Sequence, residues 1–145
     1  MGSYKGEVTG SDKRYSFSIV ENHSAGTVHL FESAIDLMSY ATLLCMAGRD
    51  WKHDALLSLA GVYKTKRKNV VPVSLSRFLS DYPGIKTLRL HLDNDEIGRG
   101  AAKGIMDGLK DKYEILDEPP RYGKDVNDHL IHITQLRKRK DDHYR

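Results

Sequence analysis

Three carboxylates in this chain interrupt apolar segments at points where a cation can be held. Glu32 follows at once on the β-favouring run Thr27-Val28-His29-Leu30-Phe31, and Asp93 and Asp95 follow a run in which Leu88, Leu90 and Leu92 alternate with Arg89 and His91. Residues two apart on an extended chain point to the same side, so Asp93 and Asp95 can share one ion. Short side chains with hard oxygens suit Mg²⁺, with Mn²⁺ as a substitute, and Mg²⁺ keeps water and phosphate oxygens as its remaining ligands. Such an ion relieves the repulsion among clustered carboxylates and polarises a phosphoryl oxygen or orients a leaving 3′ oxygen. Glu32, Asp93 and Asp95 are therefore the candidate catalytic and metal-binding residues. Two acids one apart at a strand–helix junction also act as turn formers and helix caps, and the pair alone does not decide between these roles.

Neighbouring residues carry paired readings of the same kind. Asp36 lies one helical turn beyond Glu32, where it can reach the ion through water or, as a first-turn acid, stabilise the helix dipole. Arg99 and Lys124 flank the acidic rim as candidate phosphate contacts or as ordinary salt-bridge partners. His91 is read as a structural histidine on its strand, with contact to substrate or to a carboxylate as the alternative. The basic run Lys64-Thr65-Lys66-Arg67-Lys68 offers Lys66, Arg67 and Lys68 to nucleic-acid phosphates, and Arg137-Lys138-Arg139-Lys140 is a second run, both equally readable as solvated surface. The seven histidines and single cysteine show no zinc spacing.

The elements that must position these groups alternate between strand and helix. Val8, Tyr15, Phe17 and Ile19 around Gly10-Ser11-Asp12 predict an N-terminal hairpin. The Thr27–Phe31 strand leads into a helix capped by Ser33, with an apolar stripe of Ile35, Leu37, Met38, Ala41, Leu44 and Cys45 and with Gly48 as its stop. Leu56, Leu57 and Leu59 predict a short strand or buried turn within 54–62, and Ser74–Leu79 a short helix closed by Tyr82-Pro83-Gly84. The strand 85–92 runs into a helix whose Ile97, Ala101, Ile105 and Leu109 fall four apart beside four glycines, each costing about 1 kcal/mol relative to alanine unless close packing offsets it. Tyr113–Leu116 predicts a further strand, and Asp125-Val126-Asn127-Asp128 opens a last helix along Leu130, Ile133 and Leu136. This alternation implies βαβ units, a largely parallel sheet and helices on its faces. Ligands of such sheets bind beyond the carboxyl ends of the strands, which sends Glu32, Asp93 and Asp95 to one rim. A central parallel strand is apolar on both faces; Arg89 and His91 predict that theirs is partly open on one side.

Composition narrows the class. At 145 residues, 39% hydrophobic and 30% charged, the chain is long enough for one domain with its own core, and no run of about 18 apolar residues is present to cross a bilayer. The net charge of +3 is too small to mark a nucleic-acid binder by its bulk field. Cys45, alone, makes no internal disulfide and is expected to be a buried small hydrophobe. The first residues show neither a cationic nor an apolar leader segment, and the cytoplasm is the expected compartment. Residues 1–5 are read as a cloning remnant or disordered start, 6–136 as the domain and 137–145 as a basic polar tail.

Three segments taken together, Phe31-Glu32-Ser33-Ala34-Ile35-Asp36, Leu92-Asp93-Asn94-Asp95-Glu96-Ile97-Gly98-Arg99 and Gly123-Lys124-Asp125-Val126-Asn127-Asp128, resemble the Toprim domain of bacterial primases, topoisomerases and related nucleases. The likeness is nearest to the primase-like Toprim proteins of bacterial mobile elements, whose domain also begins with a turn such as Gly10–Lys13, and it spans about 6–136. It implies a compact α/β, Rossmann-like Toprim fold with a mostly parallel central sheet, helices on both faces and an N-terminal β-hairpin. By this resemblance Glu32 is the Toprim glutamate, Asp93 and Asp95 are the paired metal-binding aspartates, Asp36 matches an acidic position four residues on, and Asp125 is the acid of the third motif. Ser33 departs from the glycine often found after the glutamate. The implied function is Mg²⁺-dependent nucleotidyl or phosphoryl transfer, with primer synthesis in a primase-like protein preferred. Its partners would be DNA, nucleoside triphosphates and other replication or mobile-element domains. A Toprim nuclease and a non-catalytic DNA-binding or assembly module in recombination are the alternatives.

Overall fold

The computed structural model describes residues 17–59 and 71–143. Within them the chain runs β1 (Ser18–Ile19), β2 (Thr27–Phe31), α1 (Ala34–Met46), β3 (Ala55–Ser58), α2 (Val73–Asp81), β4 (Thr87–Leu90), α3 (Glu96–Leu109), β5 (Glu114–Asp117) and α4 (Val126–His143). The strands form one sheet in the order β1-β3-β2-β4-β5. Pairing is parallel for β3, β2, β4 and β5, and β1 adds an antiparallel edge to β3. The second strand of the expected hairpin is thus β1; the Gly10–Lys13 turn and Tyr15 lie outside the described residues, as do Lys66, Arg67 and Lys68.

Alternation along the strands divides the core. Val28, Leu30, Ala55, Leu57, Leu88 and Leu90 project to one face, where they meet Leu75 and Phe78 of α2 and Ala102 and Ile105 of α3. Phe31 and Leu56 project to the other and meet Leu37 of α1 and Val126 of α4. Leu30, Leu88 and Leu90 are wholly buried, each worth about 1.5–3 kcal/mol of apolar burial. β2 and β4 are neighbours, yet the helices that follow them cover opposite faces of the sheet. The carboxyl ends of these two strands therefore form a switch point of the kind where α/β sheets bind ligands.

Two expected helix stripes are corrected. On α1, Ile35 is 66% exposed, Met38 52% and Cys45 exposed, while Asp36, Leu37 and Ser39 are buried. This helix is apolar around most of its circumference, so its packing between the sheet and α4, rather than its hydrophobicity, selects the inward side. On α3 the buried line is Gly98, Ala102 and Ile105, and Ile97 faces out. Gly48, with φ of 71°, ends α1 as expected. α4 continues helically through the Arg137–Lys140 run.

His91 is structural. On the face shared with α1, His29 Nε2 lies 2.8 Å from Asp54 Oδ2, and His29 Nδ1 lies 2.8 Å from His91 Nε2. A carboxylate only accepts, so His29 donates from Nε2, its Nδ1 accepts, and His91 donates from Nε2. The rings of His29, His91, Phe31 and Tyr40 pack together with centroid separations of 4.6–5.3 Å. Beyond them this face opens, as the polar residues of the strand predict: Arg89, with its side chain 40% exposed, forks onto Glu118 through bonds of 2.9 and 2.7 Å.

Burial, and then the neighbouring His29, hold the His91 pKa down to about 3; burial also lowers that of His29. Both imidazoles stay neutral in the fold while the unfolded chain takes up protons below the ordinary histidine value of 6.5. Their contribution is complete above that pH and is lost as pH falls below 6.5, for His91 down towards its folded value of about 3, by at most about 1.4 kcal/mol per pH unit per proton. Urea unfolding followed across this window should show a falling midpoint in the native chain and a shallower fall in His91→Gln; equal slopes would contradict a neutral buried His91.

Candidate metal centre

Residues from three junctions meet beyond the strand ends. Ser33 is the N-cap of α1: its hydroxyl accepts the Asp36 N–H at 3.2 Å and donates to Asp36 Oδ2 at 3.0 Å. Asp36 Oδ1 accepts the backbone N–H of Asn127 at 3.1 Å, and Ser39 Oγ lies 3.1 Å from Asn127 Oδ1. The first turn of α1 thereby holds the first turn of α4. Asp125 in turn accepts the Asp128 N–H at 2.8 Å, and Asp128 accepts the Lys124 N–H at 2.9 Å. Gly123 is required here: its φ is 76°, and a β-carbon would lie 2.5 Å from that of Asp128. Asn94 N–H bonds the Lys124 carbonyl at 2.6 Å, tying the loop after β4 to this entry into α4.

These ties gather Asp36, Asp93 and Asp125, each presenting an oxygen within 4.8 Å of the others. Asp93 is 9% exposed, and among the described residues no hydrogen-bond partner reaches its enclosed Oδ1. An ionised oxygen in that position is costly unless a cation or a shared carboxyl proton meets it. Glu32 stands next to Asp93. Burial first, then proton sharing with Asp93 and the charges of Asp93, Asp95 and Asp36, raise its pKa to about 8, so in the metal-free chain Glu32 holds a proton at neutral pH. Burial likewise raises the pKa of Asp36, opposed by its bonds to Asn127 and Ser33 and reinforced by the charges of Asp125 and Asp93. Hard oxygen donors, an orphaned buried oxygen and mutual repulsion together fit a small divalent cation.

The expected site residues are not all placed alike. Glu32 and Asp93 adjoin, while Asp36 and Asp125 complete the trio with Asp93. Asp95 sits on the same rim as the N-cap of α3, its Oδ1 accepting Gly98 N–H at 2.7 Å and its Oδ2 lying 3.4 Å from Lys124 Nζ. The Asp95 carboxylate raises the Lys124 pKa and so keeps its exposed ammonium charged. Arg99 is engaged by Asp117 at 2.7 Å and by the carbonyls of Leu92 and Asp93 at 3.3 and 3.4 Å. It braces the loop after β4. Sequence reasoning missed the link from Ser39 and Asp36 to Asn127; its one local trace is the pair of polar residues three apart on an otherwise apolar helix.

The chain matches the Toprim-like family over residues 29–130. It belongs to that family. No curated protein and no solved structure matches it significantly. Toprim domains act on nucleic acid and bind divalent metal ions, typically Mg²⁺, and the acidic cluster of this Toprim-like chain lies within the matched segment. Among the described residues no helix is long and apolar enough to cross a membrane.

Asp93→Asn removes one of the crowded charges and adds an amide donor. The metal-free variant should be more stable than the native chain by about 1 kcal/mol, or roughly 3–5 °C in Tm, yet lose the rise in Tm that millimolar Mg²⁺ gives the native chain. Scanning calorimetry with EDTA and with Mg²⁺ reads both effects. Gly98→Ala makes the complementary case, because a β-carbon there overlaps the Asp93 carbonyl. A loss of about 1–3 kcal/mol from overpacking should accompany weaker Mg²⁺ binding in titration calorimetry, although residue 98 offers no ligand.

Proposed function

We propose that this chain is a Mg²⁺-dependent phosphoryl-transfer domain spanning about 6–136, and that its reaction is nucleotidyl transfer in primer synthesis within a primase-like protein of a mobile element. It would act in the cytoplasm, with DNA, nucleoside triphosphates and further replication domains as partners. The clustering of Asp36, Asp93 and Asp125, with the Asp93 Oδ1 enclosed and unpartnered among the described residues, carries the reading. Asp36, Asp93 and Asp125 would hold the ion, with Glu32 beside them and Asp95 steadying the loop from its cap. When bound, Mg²⁺ supplies positive charge to the phosphoryl oxygens and to the 3′ oxygen. Lys124, exposed at the rim, neutralises an incoming phosphate, and Lys66, Arg67 and Lys68 are proposed as further phosphate contacts. Arg99 acts by holding the Asp93 loop rather than by touching substrate.

A second reading is cleavage of a phosphodiester by water, which leaves a 3′ oxygen that needs a proton; Glu32, the carboxyl group next to Asp93, is the candidate acid. Primer synthesis instead needs that oxygen to lose one.

Titration calorimetry with Mg²⁺ and Mn²⁺ should give binding heat for the native chain and little for Asp93→Asn or Asp36→Asn; identical isotherms would defeat the site. Incubation with Mg²⁺ and single-stranded DNA then separates the reactions. New oligonucleotides formed only with nucleoside triphosphates support primer synthesis, whereas strand cleavage without primers overturns it in favour of the nuclease.

A further inference from the structure

At Tyr122, three residues before Asp125 in the chain, two rings form an exposed stack. Tyr122 and His132 are parallel within 8°, with centroids 3.7 Å apart, and Tyr122 is 51% exposed. One face of the tyrosine is covered by His132, so its exposure belongs to the other face and the hydroxyl edge. The backbone that carries the ring is restrained: Pro119-Pro120 restrict the approach, Gly123 turns the chain, and the Lys124 carbonyl accepts the Asn94 N–H, while His132 stacks on the ring itself. An aromatic side chain held rigidly with a free face is a stacking surface prepared in advance, at little conformational cost to a ligand.

Basic residues stand near it in the chain, with Asp125 and Asp128 following. Arg121 and Lys124 flank the ring in sequence and are exposed. His129 lies close enough to His132 and Arg121 for both, after burial, to lower its pKa. On α4, His129, His132, Leu136 and Arg139 recur at intervals of three and four and so share one side of the helix. Arg139 is exposed about 10 Å along the axis from His132. Among the described residues neither Arg121 nor Arg139 enters an ion pair. Tyr122 is three residues from Asp125, a span of at most about 11 Å, so neighbouring nucleotides of one strand can occupy both places.

We propose that Tyr122, backed by His132, is a stacking platform for a base of single-stranded nucleic acid whose backbone enters the carboxylate site, with Arg121, Lys124 and Arg139 contacting its phosphates. The proposal rests on the nucleic-acid reading above and adds the strand state and the path. A duplex keeps its base faces stacked on one another, whereas a single strand offers them to an aromatic ring.

The test uses fluorescence anisotropy of labelled oligothymidylate and of an abasic oligomer of equal length, in EDTA so that the metal site contributes nothing. The native chain should prefer the thymidylate. Tyr122→Leu should weaken its binding about 5- to 100-fold, the range of one base–aromatic stack, and erase the preference over the abasic oligomer, while Tyr122→Phe keeps both. Arg121→Ala should weaken both oligomers alike and reduce the salt slope by about one. Unchanged affinity in Tyr122→Leu, or a native chain indifferent to the bases, overturns the platform while leaving charge-driven binding intact. Failure of the native chain to bind either oligomer would remove the nucleic-acid reading itself, with the ion site still judged separately by calorimetry.

Discussion

Asp36, Asp93 and Asp125 are drawn from three separate junctions into a space where their oxygens repel one another, and much of the surrounding structure serves to hold them there. The central strands β2 and β4, with Val28, Leu30, Leu88 and Leu90 wholly buried, supply the edge from which Glu32 and Asp93 emerge. Three features restrain the approach: the Ser33 cap on α1, the Asp36 bond to the Asn127 N–H and the Asn94 bond to the Lys124 carbonyl. Each satisfies a backbone group that a helix or loop end would otherwise leave unpaired. Local hydrogen bonding thus stabilises an arrangement that Coulomb repulsion alone would open. The proton on Glu32 relieves part of the remaining charge when no ion is present.

Roles within the acidic rim differ because the surroundings differ. Asp95 sees a helix N-terminus and a lysine, both of which satisfy its charge. Asp93 sees other carboxylates, and among the described residues its Oδ1 has no hydrogen-bond partner. Two aspartates separated by one residue therefore divide between holding the helix and presenting an unsatisfied oxygen. The Arg99 guanidinium reinforces that division by fixing the backbone beneath Asp93.

Much of the fold was legible in the sequence. Strand–helix alternation, the Ser33 cap, the Gly48 stop and the partly open face beside Arg89 all follow from local patterns that the structure keeps. Glu32 and Asp93 were readable because a strand end fixes position directly. The inward face of α1 was not, since apolar residues surround most of that helix and periodicity names no single side. Asp36 was ambiguous for a related reason: its orientation is set by an amide 91 residues away, which no local signal reports. The double character of Asp95, cap or ligand, also needed the third dimension, as both roles ask for the same residue at the same place. The His29–His91 pair shows the reverse limit. Alternation puts both on one face, but only the packing of Tyr40 and Phe31 shows that face to be covered there.

The bond from Asp36 to Asn127 also bears on the order in which the molecule comes into being. Every strand of the sheet precedes α4 in the chain, so a growing polypeptide can bury β2 and β4 while Asp36 and Asp93 still lack their third companion. The cluster is complete only when α4 has left the ribosome and docked on α1. Until then a nascent chain carries Asp36 and Asp93 without the third carboxylate that joins them in the folded domain.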